Sequence, residues 1–270
     1  ALHSLALLHY WQRDFRAASD IYQRLLEKSA ENSGLRLEAA KAADAAKDYD
    51  RALNQYLWLY ARNRGQKEYA LELARLWAQK GNHAEAAGVL GPLMQHQPDP
   101  ALRRWYALEL LLIGDFDKAQ TQYHKAWEEG DTHQETIINL ARLYARKNRF
   151  TKAAGLWDEA SRRQLIKGEL RWEAALTYSY AHRYQDALET IAPLRQQNTK
   201  DPKLLLFSGQ LHFYQKHWGQ AAHYFSTYLE QNPRDVEVRR QLAEVLSFEP
   251  ATREQALSQY GEVLKIQDDV

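Results

Sequence analysis

Three histidines, His212, His217 and His223, fall within twelve residues and are the side chains best spaced in this chain to hold a metal ion. His212 and His223 belong to two successive helical stretches and His217 to the turn between them, with His223 expected on the side away from the partner helix. No carboxylate completes the set at the i, i+4 spacing of a metal-binding helix, and no His-Glu-x-x-His occurs. The ten histidines are therefore read as surface or groove residues, and no metal site is assigned. The carboxylate pairs Glu128-Glu129 and Asp268-Asp269 stand at a helix end and beside the terminus, where solvation accounts for them. The twelve glycines are scattered instead of gathered into a phosphate loop, and with no cysteine there is no thiolate chemistry and no disulfide framework. No nucleophile, base and orienting group come together, so the chain is expected to be a non-enzyme that needs no cofactor. Lysine and arginine nearly balance aspartate and glutamate, leaving a net charge of +1, which indicates neither a nucleic-acid arm nor an acidic tail.

What must position any binding residues is a repeat. Taking Phe15, Tyr49, His83, Phe116, Phe150, Tyr184, Trp218 and, less clearly, Arg253 as markers, the intervals are 34, 34, 33, 34, 34, 34 and 35 residues. Three positions after every marker is an alanine: Ala18, Ala52, Ala86, Ala119, Ala153, Ala187, Ala221 and Ala256. Seven positions after it is a large apolar residue: Tyr22, Tyr56, Leu90, Tyr123, Trp157, Ile191, Phe225 and Tyr260. A fixed period of this length signals a solenoid, in which each unit buries its apolar face against its neighbours.

Positions i, i+3, i+7 and i+10 from the marker form one stripe of an amphipathic helix. A second helical stretch precedes each marker, with a small residue nine positions upstream (Ala6, Ala40, Ala74, Ala107, Ala141, Ala175, Gly209) and Ala243 ten upstream in the last unit. Small residues there predict a close antiparallel pair, helix A then helix B, with axes about 8–10 Å apart. Gly81-Asn82, Gly114-Asp115, Lys47-Asp48 and Lys147-Asn148 mark turns inside units. Gln97-Pro98-Asp99-Pro100, Asp201-Pro202 and Asn232-Pro233 mark links between units. Pro92 and Pro193, at the same place inside helix B, predict either a kink or an early helix end. The expected organisation is one continuous array over 1–270, with units at approximately 1–30, 31–64, 65–98, 99–131, 132–165, 166–199, 200–233 and 234–270.

No stretch reaches the roughly 18–20 apolar residues of a membrane span. The apolar start, Leu2 to Trp11, keeps the repeat register and lacks the basic opening of a signal segment. Because Met94 is the only methionine and both terminal helices are apolar on faces a cap would make polar, the segment is expected to be cut from a longer array. Such faces also predict end-to-end self-association of the excised array.

The combination of a small residue in helix A, an aromatic then an alanine opening helix B, and proline closing some units resembles the tetratricopeptide repeat over essentially the whole chain. That resemblance implies an all-α, right-handed superhelix of about eight helix-turn-helix repeats whose A helices line a concave face. The residues it projects inward for partner binding are Lys41, Arg75, Gln79, Arg104, Arg142, Arg146, Trp172, Tyr180, Gln210 and Tyr214, with Leu71, Leu108, Leu176 and Phe213 beside them. Arg75, Arg142 and Arg146 suit carboxylates, whereas Trp172, Tyr180 and Tyr214 suit a peptide anchor or a sugar ring. The lysine-asparagine pair by which co-chaperone members of the family grip a C-terminal carboxylate is absent. A pentatricopeptide-type RNA reader, which has a similar period, would need a basic phosphate-contacting surface that this near-neutral chain lacks.

In its cysteine-free, Gln-, Trp- and Tyr-rich character the chain is also similar to the periplasmic repeat regions of bacterial outer-membrane exopolysaccharide export proteins of the PelB type. That resemblance implies a periplasmic scaffold, part of an outer-membrane protein of a biofilm exopolysaccharide secretion apparatus. It would recruit a polysaccharide deacetylase or hydrolase and help guide polymer to the pore. A carbohydrate guide without enzyme recruitment, and an adaptor for unrelated protein assembly, remain open beside it.

Overall fold

The computed structural model describes residues 1–96 and 99–268, so Gln97, Pro98 and Asp269, read above as linker and terminus, lie outside the described residues. Among the described residues the chain forms sixteen α-helices in eight pairs. These are α1 Leu2–Trp11 with α2 Phe15–Lys28, α3 Ser33–Ala45 with α4 Tyr49–Arg62, α5 Lys67–Gln79 with α6 His83–His96, and α7 Pro100–Leu112 with α8 Phe116–Glu128. They continue as α9 Gln134–Arg146 with α10 Phe150–Arg162, α11 Leu170–Tyr180 with α12 Tyr184–Gln197, α13 Pro202–Tyr214 with α14 Trp218–Gln231, and α15 Val236–Ser247 with α16 Arg253–Asp268. The marker of each repeat is the first residue of its helix B in all eight pairs. Two compact units divide the chain, Ala1–Thr136 and Ile137–Val270.

Each unit has a layered interior in place of a single centre. The marker+3 alanines are fully buried from Ala18 to Ala221 and Ala256 nearly so, as are the marker+7 residues from Tyr22 to Phe225. The small helix-A residues Ala6, Ala40, Ala74, Ala107, Ala141, Ala175 and Ala243 are fully buried too. One such layer joins Ala40, Ala43, Ala52, Leu53, Tyr56 and Leu59 of one repeat to Leu73 and Leu76 of the next. Helices of about a dozen residues are marginal alone, and this shared burial is what holds them.

Among the glycines, the one with the closest neighbour is Gly209. A Cβ placed there would sit 2.6 Å from Phe225 Cε1 and 2.7 Å from its Cδ1, so the ring occupies the volume that the alanine methyl fills elsewhere.

One turn geometry closes the first seven pairs. The residue two before the marker is in the left-handed region each time: Arg13, Lys47, Gly81, Gly114, Asn148, His182 and Lys216, with φ between 57° and 81°. Around it run a 6→1 and a 5→2 backbone bond, as in Asp48 N–H to Ala43 O (2.9 Å) with Lys47 N–H to Asp44 O (2.8 Å), the Schellman arrangement. The next residue is the N-cap of helix B, and Asp14, Asp48 and Asp115 serve there by accepting from the backbone N–H of Ala17, Arg51 and Lys118. Non-glycine residues adopt the left-handed region at a cost of about 1 kcal/mol or more. The paired carbonyls at the helix-A end and the start of helix B override that cost.

The eighth pair departs from this pattern. A 3₁₀ turn, Pro250–Thr252, replaces the left-handed residue, and the Thr252 hydroxyl donates to Leu246 O at 2.6 Å. Tyr260, at the marker+7 position, is exposed there. Pro92 and Pro193 do not end their helices early: α6 and α12 run four residues past them. The carbonyls left without donors belong to Gly88 and Glu189, both exposed, so water can satisfy them. Leu2, Leu5, Leu8 and Trp11 of α1 and Leu257 and Leu264 of α16 are exposed.

Two outcomes follow for chemical denaturation. Gly209→Ala, although it improves helix propensity by about 1 kcal/mol, should lose about 1–3 kcal/mol through overpacking against Phe225, and Phe225→Leu should restore most of it. Lys216→Gly should gain about 0.5–1 kcal/mol by relieving a left-handed lysine. An unchanged or raised midpoint for Gly209→Ala would show that the two helices do not meet there.

Candidate functional site

The cations expected to make a basic surface on the A helices are largely engaged by carboxylates within the fold. Arg75 donates to Asp44 of the preceding repeat at 2.5 Å, to Glu72 at 2.7 Å and to the Gln79 side-chain Oε1 at 3.0 Å, so of the predicted residues Arg75 and Gln79 are in direct contact. Arg104 holds Asp131 at 2.8 and 2.9 Å. Burial raises the Asp131 pKa, but hydrogen bonds from Thr136, the His133 backbone and Arg104 outweigh it and hold the carboxyl below its ordinary value. Arg142 meets Glu173 of the next repeat through two bonds of 2.7 and 2.9 Å, and this pairing is the main reason its own pKa is raised. Lys41 and Arg146 are exposed on α3 and at the end of α9, and Gln210 is half-buried on α13. The charge these A helices present is therefore lower than a count of their arginines suggests.

The aromatic residues carry more of the exposed surface. Tyr180 stacks on Phe150 with centroids 4.8 Å apart, Tyr214 on Tyr184 at 5.3 Å, and Phe248 on Trp218 at 4.2 Å. Each pair places a residue from the end of one helix A over the marker of the preceding repeat, at interplanar angles of 25°, 20° and 23°. The outer rings remain 60%, 56% and 48% exposed, so each presents a face already held by a ring beneath it. Phe248 was not among the predicted residues. Its signal was present, because 180, 214 and 248 are spaced by 34, but the irregular eighth turn moved the marker by one. Trp172 is half-buried: it packs on Phe207 at 4.9 Å, and the Lys203 ammonium lies 3.9 Å from its ring centroid. It ties two repeats together as well as contributing surface.

A second polar cluster went unseen in the sequence. Arg183 grips Asp158 with bonds of 2.7 and 2.9 Å and Asp186 with one of 2.7 Å, while the Tyr178 hydroxyl donates to Asp158 at 2.9 Å. Desolvation pushes the Asp158 pKa up, but Arg183 and Tyr178 outweigh it and leave it lowered. Arg183 is itself raised, first by Asp158 and then by Asp186. Beside this cluster a cleft of about 620 Å³ opens between α10, the link after it, α11 and α12. The three histidines sit apart from it: His212 stacks flat on Tyr224 at 5.4 Å and lies 5.9 Å from His217. Burial, then His217 and Arg195, lowers the pKa of His212. No metal-holding group of three or more His, Cys, Asp or Glu occurs among the described residues, and no helix there is long and apolar enough to cross a membrane.

Comparison with known proteins bears on the fold. The tetratricopeptide repeat profile matches residues 37–90. Among solved structures, YrrB, described as a TPR protein with an unusual peptide-binding site, is similar with a TM-score of 0.52 and 18% identity, covering 68% of this chain and 94% of its own. A tetratricopeptide repeat protein from Parabacteroides merdae aligns over 91% of this chain and 97% of its own, with a TM-score of 0.52 and 13% identity. The structure of Naa15/Naa10 bound to HypK-THB gives a TM-score of 0.61 at 13% identity, over 97% of this chain and 41% of that one. No curated protein matches the sequence. Residues 37–90 thus carry tetratricopeptide repeats, and the chain has the all-α solenoid fold of tetratricopeptide repeat proteins.

Proposed function

We propose that this chain is a non-catalytic scaffold that binds a protein partner across the aromatic faces of its C-terminal repeats. The observation that carries the reading is the set Tyr180, Tyr214 and Phe248: three exposed rings, one per repeat, each stacked on a second ring. Such rings anchor a partner at little cost in side-chain entropy, because their rotamers are fixed before binding. YrrB, of the same fold, is described with a peptide-binding site, which supports a peptide or protein ligand here.

In its finer form, the scaffold works in the periplasm as part of an outer-membrane exopolysaccharide export protein and recruits a polysaccharide deacetylase or hydrolase. That rests on the similarity of character to the PelB-type repeat regions described above. A second reading, a guide for the polymer itself, is favoured by the flatness of the same rings, since the negative face of an aromatic ring attracts the polarised C–H groups of a pyranose.

Capture from a bacterial envelope extract, with this chain as bait and mass spectrometry as readout, separates them. Tyr180→Ala with Tyr214→Ala should cut capture of the enzyme at least tenfold, as loss of two aromatic anchors does, while keeping the helicity of wild type and losing about 1–3 kcal/mol of stability with the two ring stacks. Measurable oligosaccharide binding that the same variant abolishes, with enzyme capture intact, would favour the polymer guide. Undiminished capture together with undiminished oligosaccharide binding in the variant would remove the aromatic faces from the account. Charge at Arg142 is tested by exchange, Arg142→Glu with Glu173→Arg, because Arg142→Glu alone sets two carboxylates against each other.

A further inference from the structure

An arginine recurs in every second repeat, at Arg36, Arg103, Arg171 and Arg239, with intervals of 67, 68 and 68 residues. Each reaches from its helix A toward the residue six after the marker of its own helix B. Arg36 donates to Gln55 Oε1 at 2.6 Å and to Ala30 O at 2.7 Å. Arg103 donates to Gln122 Oε1 at 3.0 Å and holds Glu129 through bonds of 2.7 and 2.9 Å. Arg239 donates to Gln259 Oε1 at 2.7 Å and to Pro233 O at 2.6 Å. In the sixth repeat the acceptor position is Thr190, and Arg171 makes there a single contact with the Thr190 carbonyl oxygen at 3.5 Å.

A guanidinium has five N–H donors in a planar fork. Arg171 leaves most of them uncommitted, and it does so in the wall of the 620 Å³ cleft. Lys167, exposed on the link, lines the same cleft beside it, and Ile166 and Tyr178 supply apolar surface. The acids Asp158 and Asp186 on the other side are held by Arg183, and Glu189 accepts from the Gln185 amide at 2.9 Å.

We infer that this cleft is a binding site for an acidic peptide segment, whose carboxylate docks on Arg171 in place of the glutamine acceptor that the other three repeats supply. Lys167 and Arg162, the latter paired with Glu159 at 2.6 Å, add further positive charge to the cleft wall, and a carboxylate matches the guanidinium fork with two parallel bonds. The site lies between α10, the link after it, α11 and α12 of the fifth and sixth repeats. It rests on the reading of the chain as a protein-binding scaffold.

The test is fluorescence anisotropy with a fluorescein-labelled hexaglutamate peptide, amidated at its C-terminus, against the hexaglutamine counterpart and inorganic phosphate. Wild type should bind hexaglutamate and not hexaglutamine, and Arg171→Gln should weaken binding at least tenfold. The sharper variant is Thr190→Gln: it supplies the missing acceptor without changing net charge, and should also weaken binding at least tenfold while the melting temperature holds or rises. Glu189→Gln should strengthen binding two- to threefold by removing a like charge. Wild-type affinity in both Arg171→Gln and Thr190→Gln, or equal binding of hexaglutamine, overturns the site. So does full displacement by phosphate at the peptide's own concentration, which would assign the cleft to a free anion. If these variants leave hexaglutamate binding untouched while Tyr180→Ala/Tyr214→Ala still loses its partner, the cleft alone fails. If no protein is captured but Thr190→Gln abolishes hexaglutamate binding, the scaffold reading fails and the cleft stands.

Discussion

Everything in this fold depends on how closely the two helices of a pair can approach. The distance is set by a small residue of helix A facing a bulky residue of helix B, as Gly209 faces Phe225. Once that approach is fixed, the marker+3 alanine is driven into full burial and the marker+7 side chain fills the space between pairs. The reversal between helices then has little freedom, and the same left-handed residue recurs in seven turns although only two of the seven are glycines. Packing has overridden local preference at Arg13, Lys47, His182 and Lys216, each of which would choose another backbone region in isolation.

The same rigidity shapes what the surface offers. Carboxylates of adjacent repeats hold Arg75 and Arg142, at a sequence separation of 31 residues in each case, so these arginines bind repeat to repeat before they bind anything else. Ion pairs this exposed are worth little individually. They nevertheless fix the orientation of long side chains and lower the charge available to a ligand. Among what remains outward in the C-terminal unit is a set of aromatic rings supported by other rings. Arg171 stands out against this background because the fold supplies partners for its three counterparts and only a distant carbonyl for it.

The repeat was legible because burial is periodic: an alanine three after each marker has one physical reason, the close helix pair, and the structure starts every helix B at the marker. The place of the turn was legible at Lys47-Asp48, Gly81-Asn82, Gly114-Asp115 and Lys147-Asn148, whereas the turns at Arg13, His182 and Lys216 were hidden because residues that disfavour the left-handed region are forced into it. The proline positions were legible but their consequence was not, since only the exposure of Gly88 and Glu189 decides whether a helix can pass them. Among the candidate site residues, Tyr180 and Tyr214 were found by register and proved exposed. The neutralisation of Arg75, Arg104 and Arg142 could not be read, because which acid reaches which arginine depends on side-chain geometry across repeats. The Asp158–Tyr178–Arg183–Asp186 cluster was hidden for the same reason.

The central claim is that stability is built from neighbour-to-neighbour layers in a 34-residue register. Deleting Phe150–Arg183, which is 34 residues, joins Arg149 to the next marker, Tyr184, without shifting phase. Circular dichroism of this shortened chain should give the same helicity per residue as the parent and a single cooperative melt, whereas a 17-residue deletion from the same point should not. Loss of helicity or of cooperativity in the 34-residue deletion, equal to that in the out-of-phase one, would contradict the layered account.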